Sequence, residues 1–193
     1  MKYRTILLFG SPGSGKGTQG RIIGQIPDFF YFSCGDAFRN LRIDDPLGRV
    51  FIDYSSRGLL VPDETTISMW SRNIQAATLQ GNFNPTRDTL VLDGIPRNPQ
   101  QAEMLKDTLN VIGLIHLACL DRSKMIERLQ RRALRENRLD DANLEVIKRR
   151  LETYDKETTP VLDYYGSKLV HEIDSTDHPV KVLRQILDVM VRL

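Results

Sequence analysis

Lys16 stands within a run of closely spaced glycines, FGSPGSGKGTQG, that begins at Phe9 directly after the apolar residues Ile6, Leu7 and Leu8. An ammonium group behind such a turn is suited to gripping phosphate oxygens. The spacing of Gly10, Gly15 and Lys16 is that of the phosphate-binding loop G-x-x-x-x-G-K-[ST]. One position departs from it: Gly17 stands where a magnesium-ligating hydroxyl is usual, and Thr18 arrives one residue late. Glycine has no side chain to offer a metal. Mg2+ is therefore expected to be held by nucleotide phosphates and waters, with Asp93 ordering those waters from a neighbouring strand end. A strand-to-helix turn of this kind aims its backbone N–H groups and the helix dipole at one negative charge. Gly13, Ser14, Gly15 and Gly17 supply those amides, Lys16 bridges the β- and γ-phosphates, and Thr18 is better placed for the α-phosphate.

The other chemistry-bearing residues are arginines. Arg39 follows SCGD and Arg97 follows DGIP. Arg128, Arg132 and Arg135 stand at i, i+4 and i+7 and share one helix face. Arg138 precedes Asp140 and Asp141, and Arg150 lies one helical pattern further on, with Arg149 as the alternative in the same role. A planar guanidinium grips two phosphate oxygens at once. Taken alone, such a basic run reads as a solvated helix face; beside the glycine loop it reads as a cluster for polyanions. His116, His171 and His178 are scattered and none receives a catalytic role. Cys34 and Cys119 cannot make a structural zinc cluster or a disulfide framework, and Cys119 is expected in the core.

Apolar runs at Thr5–Phe9, Phe29–Ser33, Thr89–Leu92, Ile112–Leu120 and Leu169–Ile173 read as buried strands with helical patterns between them. That alternation predicts a three-layer α/β fold with a five-stranded parallel sheet. Ligands of such sheets bind beyond the carboxyl ends of the strands, where the glycine loop, Ser33–Asp36 and Asp93–Arg97 should meet. Two segments do not serve the sheet. One is a helical excursion taken as a lobe over 33–62, running as far as about residue 78. The other is the short polar stretch RRALRENRLDD at 131–141. Both are expected to be covers inserted into a single domain spanning 1–193.

The chain has 193 residues, 40% hydrophobic and 27% charged, with a formal net charge of +2. These are ordinary values for a soluble globular domain. The net charge gives no reason to expect nucleic-acid or membrane partners. Charged Lys2 and Arg4 precede only a short apolar run, unlike a signal peptide, so the cytoplasm is the expected compartment.

The form GSPGSGKGTQ, followed in order by SCGDAFR, GLLVPDE, LDGIPRNPQQAE, RLDD and RRLETYDKETTPVLDYY, resembles the nucleoside monophosphate kinases, the short-lid adenylate kinases in particular. The resemblance implies a P-loop fold with a small helical NMP-binding lobe and a short lid, acting as a monomer. It implies reversible transfer of the ATP γ-phosphoryl group to AMP with Mg2+. The acceptor oxygen is then already anionic, so no general base is needed. By resemblance, Arg128 and Arg132 serve the donor triphosphate, Arg39, Gly94 and Arg97 hold the acceptor phosphate, and Arg138 and Arg150 surround the transferring group. Asp140 and Asp141 pin the lid by pairing with these arginines. Leu60, Val61 and Pro62 line the acceptor base pocket, Cys34 stands where a threonine is usual beside adenine, and Gln101 reads the base. Asn98, Pro99 and Gln101 also make a sensible helix start. Cys34 and Asn98 lean towards the alternative, a UMP/CMP kinase on the same scaffold. A nucleotide-dependent switch is the rival from another class; Gly17 argues against it. The lid contains no cysteine, so no structural zinc is expected.

Overall fold

The computed structural model describes every residue except Met1, Ile43, Leu120, Asn137, Leu139, Asp140 and Ala142. Five strands, β1 (Tyr3–Phe9), β2 (Phe29–Ser33), β3 (Thr89–Asp93), β4 (Leu109–Ala118) and β5 (Val170–Asp174), form one parallel sheet in the order β2-β3-β1-β4-β5. β1 is central. Its residues from Thr5 to Phe9 are all buried, which explains the unbroken apolar run of a strand covered on both faces. Alternate side chains divide between the layers: Leu7 and Phe9 join one core, Ile6 and Leu8 the other.

The first core is completed by Phe38 of α2 (Cys34–Arg39), by Met69, Trp70 and Ile74 of α4 (Asp63–Leu79), and by Leu105 of α5 (Pro99–Leu105). The second is completed by Ile23 of α1 (Lys16–Ile23) and by Val182, Ile186 and Val189 of α9 (Pro179–Met190). Between α2 and α4 runs α3 (Pro46–Ser56), whose Phe51 stacks on Phe38 at 5.2 Å between ring centroids. A third, smaller cluster joins α6 (Arg122–Glu136) to α7 (Leu144–Thr153) through Met125, Leu129, Ile147 and Leu151. A π-helical turn, Tyr154–Thr158, leads from α7 into α8 (Pro160–Tyr165). Among the described residues no helix is long and apolar enough to cross a membrane.

The expected strands are present, with shifted ends. β4 starts at Leu109 rather than Ile112: Leu109 is buried, while exposed Asn110 interrupts the apolar pattern that marks the strand in the sequence. Cys119 lies just past the end of β4, partly buried against the third cluster, and Leu120 is outside the described residues. Helix α6 also continues through Glu136, so the first part of RRALRENRLDD is helical rather than a connector. Alanine, leucine and arginine favour that continuation.

Candidate active site

Because the strands are parallel, β1, β2 and β3 deliver their following loops to one rim. A single cavity of about 490 Å³ opens there. It is lined by the glycine loop, by Cys34 and Arg39 after β2, and by Asp93, Gly94 and Arg97 after β3. Arg128, Arg132, Arg138 and Arg150 reach the same cavity from the α6–α7 side, and Leu60, Val61 and Gln101 line it as well.

The loop's shape demands glycine. Gly10 has φ +145°, and a β-carbon on it would lie 2.6 Å from the Leu117 carbonyl oxygen. Gly15 caps α1 in the left-handed region, with no side chain bonded to the helix's first amides. Those amides are left for an anion. Lys16 folds back over the loop, its Nζ donating to the carbonyls of Gly10 (2.5 Å) and Ser11 (3.1 Å). Burial pulls its ammonium down to about 8, against the opposing pull of Asp93, and Arg97, Arg132 and Arg150 add to the depression. A polyanion bound at this position favours the charged form and raises the ammonium again. Titrating the triphosphate into the protein at about pH 8.5 is therefore expected to take up protons. Calorimetry in two buffers of different ionisation enthalpy measures this, and zero uptake would contradict a lysine so placed.

The arginines do not float in solvent; carboxylates hold Arg39, Arg132, Arg138 and Arg150, and backbone carbonyls hold Arg97 and Arg128. Asp36 Oδ1 accepts from Arg39 Nη2 (2.6 Å) and Arg138 Nη2 (3.4 Å), while Oδ2 accepts from Arg21 Nη2 (3.0 Å). Burial alone would raise the Asp36 carboxyl, but Arg39 and Arg21 outweigh it and hold it below the usual carboxylate range. Asp141 is completely buried; it accepts from Arg132 Nε at 2.7 Å and pairs through its other oxygen with Arg150. Arg138 also pairs with Glu136 (2.6 Å), and its guanidinium is depressed by burial and by Arg132 and Arg39. Arg128 Nη1 donates to the Ser175 carbonyl at 3.0 Å, tying α6 to the loop after β5.

Arg97 bends over its own turn, Nε donating to the Gly94 carbonyl (3.1 Å). Its backbone N–H donates to Gln101 Oε1 (2.8 Å). The helix start anticipated at Asn98 forms too, with Asn98 Oδ1 accepting from the Gln101 N–H (2.7 Å) and Pro99 in the first turn. Cys34 is buried, and that burial pushes its thiol up to about 12, so it sits in the cavity wall as a neutral thiol.

One assigned position falls elsewhere. Pro62 does not line the cavity; it is the exposed N-cap of α4. Asp140 is outside the described residues. Between Arg149 and Arg150, only Arg150 lines the cavity. Arg149 is exposed and packs its stem near Gly58.

Of the residues that hold these groups, the sequence pointed to Asp141 as an arginine partner but not to the others. Tyr31 is one: its hydroxyl donates to Asp93 Oδ2 at 2.9 Å. Its ring lies so close to α1 that a β-carbon on Gly20 would fall 2.1 Å from Tyr31 Cε2, and one on Gly24 2.6 Å from Tyr31 Cβ. Gly20 and Gly24, at i and i+4, clear a helix face for an aromatic ring. That pairing is the sequence signal that could have exposed Tyr31.

A family model described as Adenylate kinase matches residues 8–170. An adenylate kinase from a Cyanothece species is 35% identical over 194 aligned residues, covering 97% of this chain and 95% of that one. One from Parabacteroides distasonis is 36% identical over 172 residues, 86% of each chain. One from Streptomyces coelicolor is 31% identical over 220 aligned residues, 97% of this chain and 98% of the relative. With matches of this extent along a fold that gathers the glycine loop and the arginines at one rim, the chain belongs to the adenylate kinase family.

Proposed function

We propose that this cavity transfers the γ-phosphoryl group of ATP to AMP, giving two ADP, and does so without a general base. The observation that carries the reading is that one continuous cavity is lined both by the phosphate loop and by Arg39, Arg97 and Gln101. The donor lies along the loop, with Lys16 at its β- and γ-phosphates, Thr18 at the α-phosphate and Arg128 and Arg132 alongside. The acceptor phosphate meets Arg39 and Arg97, and its base lies against Leu60, Val61 and Cys34 with Gln101 at its edge. Arg138 and Arg150 surround the group in transit.

Two polyanions repel each other, and the transferring group carries charge over its equatorial oxygens; positioned cations answer both problems. The acceptor phosphate oxygen is already ionised near neutral pH, so there is no proton to remove. The carboxylates that line the cavity are occupied in other ways: Asp36 and Glu136 are held by arginines, Asp93 accepts from Tyr31 and Asp177 pairs with Lys181. Among the described residues no histidine lines the cavity.

Among the described residues no three His, Cys, Asp or Glu side chains gather as a metal cage. That suits Mg2+, which keeps several waters and binds through one or two carboxylates plus substrate phosphates. Asp93, 8% exposed at the cavity wall, is the carboxylate that would order the waters on Mg2+. When bound, Mg2+ would neutralise charge on the donor's phosphates. Tyr31 then orients the carboxylate from behind. Tyr31→Phe keeps the ring and deletes only the hydroxyl, and is expected to weaken the apparent Mg2+ affinity by up to about tenfold, because the carboxylate that would order the metal's waters loses its donor. Activity measured against free Mg2+ checks this; an unchanged midpoint would remove Tyr31 from the role.

The lobes over 33–62 and 131–141 are read as covers that close on the two nucleotides, and the cytoplasm and a monomeric state as the working context. A coupled assay with ATP and each of AMP, CMP, UMP and GMP tests the acceptor. AMP should give the highest kcat/KM. CMP or UMP ahead of AMP by about tenfold would move the protein to the pyrimidine branch.

A further inference from the structure

Gln101 is almost completely buried, and both ends of its amide are committed. Oε1 accepts from the Arg97 backbone N–H at 2.8 Å, and Nε2 donates to Asp63 Oδ1 at 2.7 Å. The same Asp63 oxygen accepts from Asn98 Nδ2 at 3.0 Å, and Asn98 in turn caps the helix that carries Gln101. Asp63 comes from a distant part of the chain, the first turn of α4.

These partners work one way only. A backbone N–H can only donate, and an ionised carboxylate can only accept. Turning the amide over would set Nε2 against the Arg97 N–H and Oε1 against the Asp63 carboxylate. A glutamine amide ordinarily has two orientations of nearly equal shape; this one has a single orientation. One lone pair on Oε1 and one N–H on Nε2 remain for a ligand.

Such a fixed pair distinguishes two classes of nucleobase. A 6-amino purine presents an exocyclic N–H donor beside a ring-nitrogen acceptor. A 6-oxo purine presents the reverse, a carbonyl acceptor beside a ring N–H donor. A base anchored through its phosphate at Arg97 cannot turn over to compensate. We infer that Asp63, which lies outside the reacting groups, is a specificity-determining positioning residue: it locks the Gln101 amide in the polarity that accepts an amino purine and rejects an oxo purine. This rests on the AMP reading above.

The test compares AMP with IMP, which differs by an oxo group in place of the 6-amino group. The full chain carries Asp63→Ala or Asp63→Asn, with kcat/KM measured for both acceptors at saturating ATP. The ratio of AMP to IMP is expected to fall by about tenfold or more in each variant, with the KM for ATP unchanged. Asp63→Asn preserves volume and can offer either a donor or an acceptor, so only the Arg97 N–H still favours the original polarity and the lock is weakened even where the alanine variant folds poorly. A ratio within about twofold of the wild type, with both acceptors losing activity together, would show a merely structural aspartate and overturn the inference. Failure of the AMP reading would appear separately, in the wild-type protein's own acceptor preference.

Discussion

Arg132→Ala and Arg138→Ala are each expected to lower kcat by about a thousandfold or more, since one arginine at a transferring phosphoryl group carries an effect of that size. The expectation follows from what these side chains are and how they are held. Each guanidinium is fixed by a carboxylate, Arg132 by fully buried Asp141 and Arg138 by Glu136 and Asp36. Their charges therefore stand in place before the substrates arrive and need no reorganisation during transfer, which is where preorganised electrostatics act most strongly. The Arg132 variant also strips one partner from buried Asp141. Breaking a buried pair costs roughly 3–5 kcal/mol of stability, so kcat must be taken on protein shown to be folded, with Arg132→Lys as the gentler variant. Lysine keeps the charge and loses the planar fork; it should recover part of the rate. A loss below about tenfold in either alanine variant would remove that arginine from the transferring group.

Arg97→Ala is expected to raise the KM for the monophosphate about 10- to 100-fold, the worth of one or two hydrogen bonds to a charged group. Binding of ATP should stay nearly intact. Arg97 sits on the turn after β3, bent over Gly94, on the same side as Cys34 and Gln101. It is close enough to Lys16 to help depress its ammonium. Steady-state kinetics with each substrate varied in turn separate the two possibilities. Equal damage to ATP and to the monophosphate would place Arg97 between the substrates rather than at the acceptor.

Much of this arrangement could be read in the chain because its signals are local. Gly10, Gly15 and Lys16 stand within one turn of each other, and Ile6 to Phe9 are apolar because β1 is covered on both faces. The five strands and the rim on which their loops meet followed from the same pattern. Asp141 was anticipated as a partner of the lid arginines and pairs with Arg132 and Arg150, but the other partners of the charged groups were not legible, because they come together only in three dimensions. Asp36 meets Arg138 across 102 positions of sequence and Asp63 meets Gln101 across 38. Neither aspartate has any mark beyond lying in a motif. Tyr31 reads as one more aromatic in a strand until Gly20 and Gly24 are seen to make room for it. The choice between Arg149 and Arg150 was open for a different reason. Ile147 and Leu151 are the buried stripe of α7, and the cavity lies to the side on which Arg150, not Arg149, flanks that stripe.

The central claim is that two nucleotides lie phosphate to phosphate in one cavity whose cations cancel their repulsion. Two adenosines joined by five phosphates span such a pair of sites in a single molecule. Calorimetric titration of this compound should give one molecule bound per chain and should abolish the binding of ATP and of AMP together. A chain saturated with it that still binds AMP, or one that loses only ATP binding, would contradict the account.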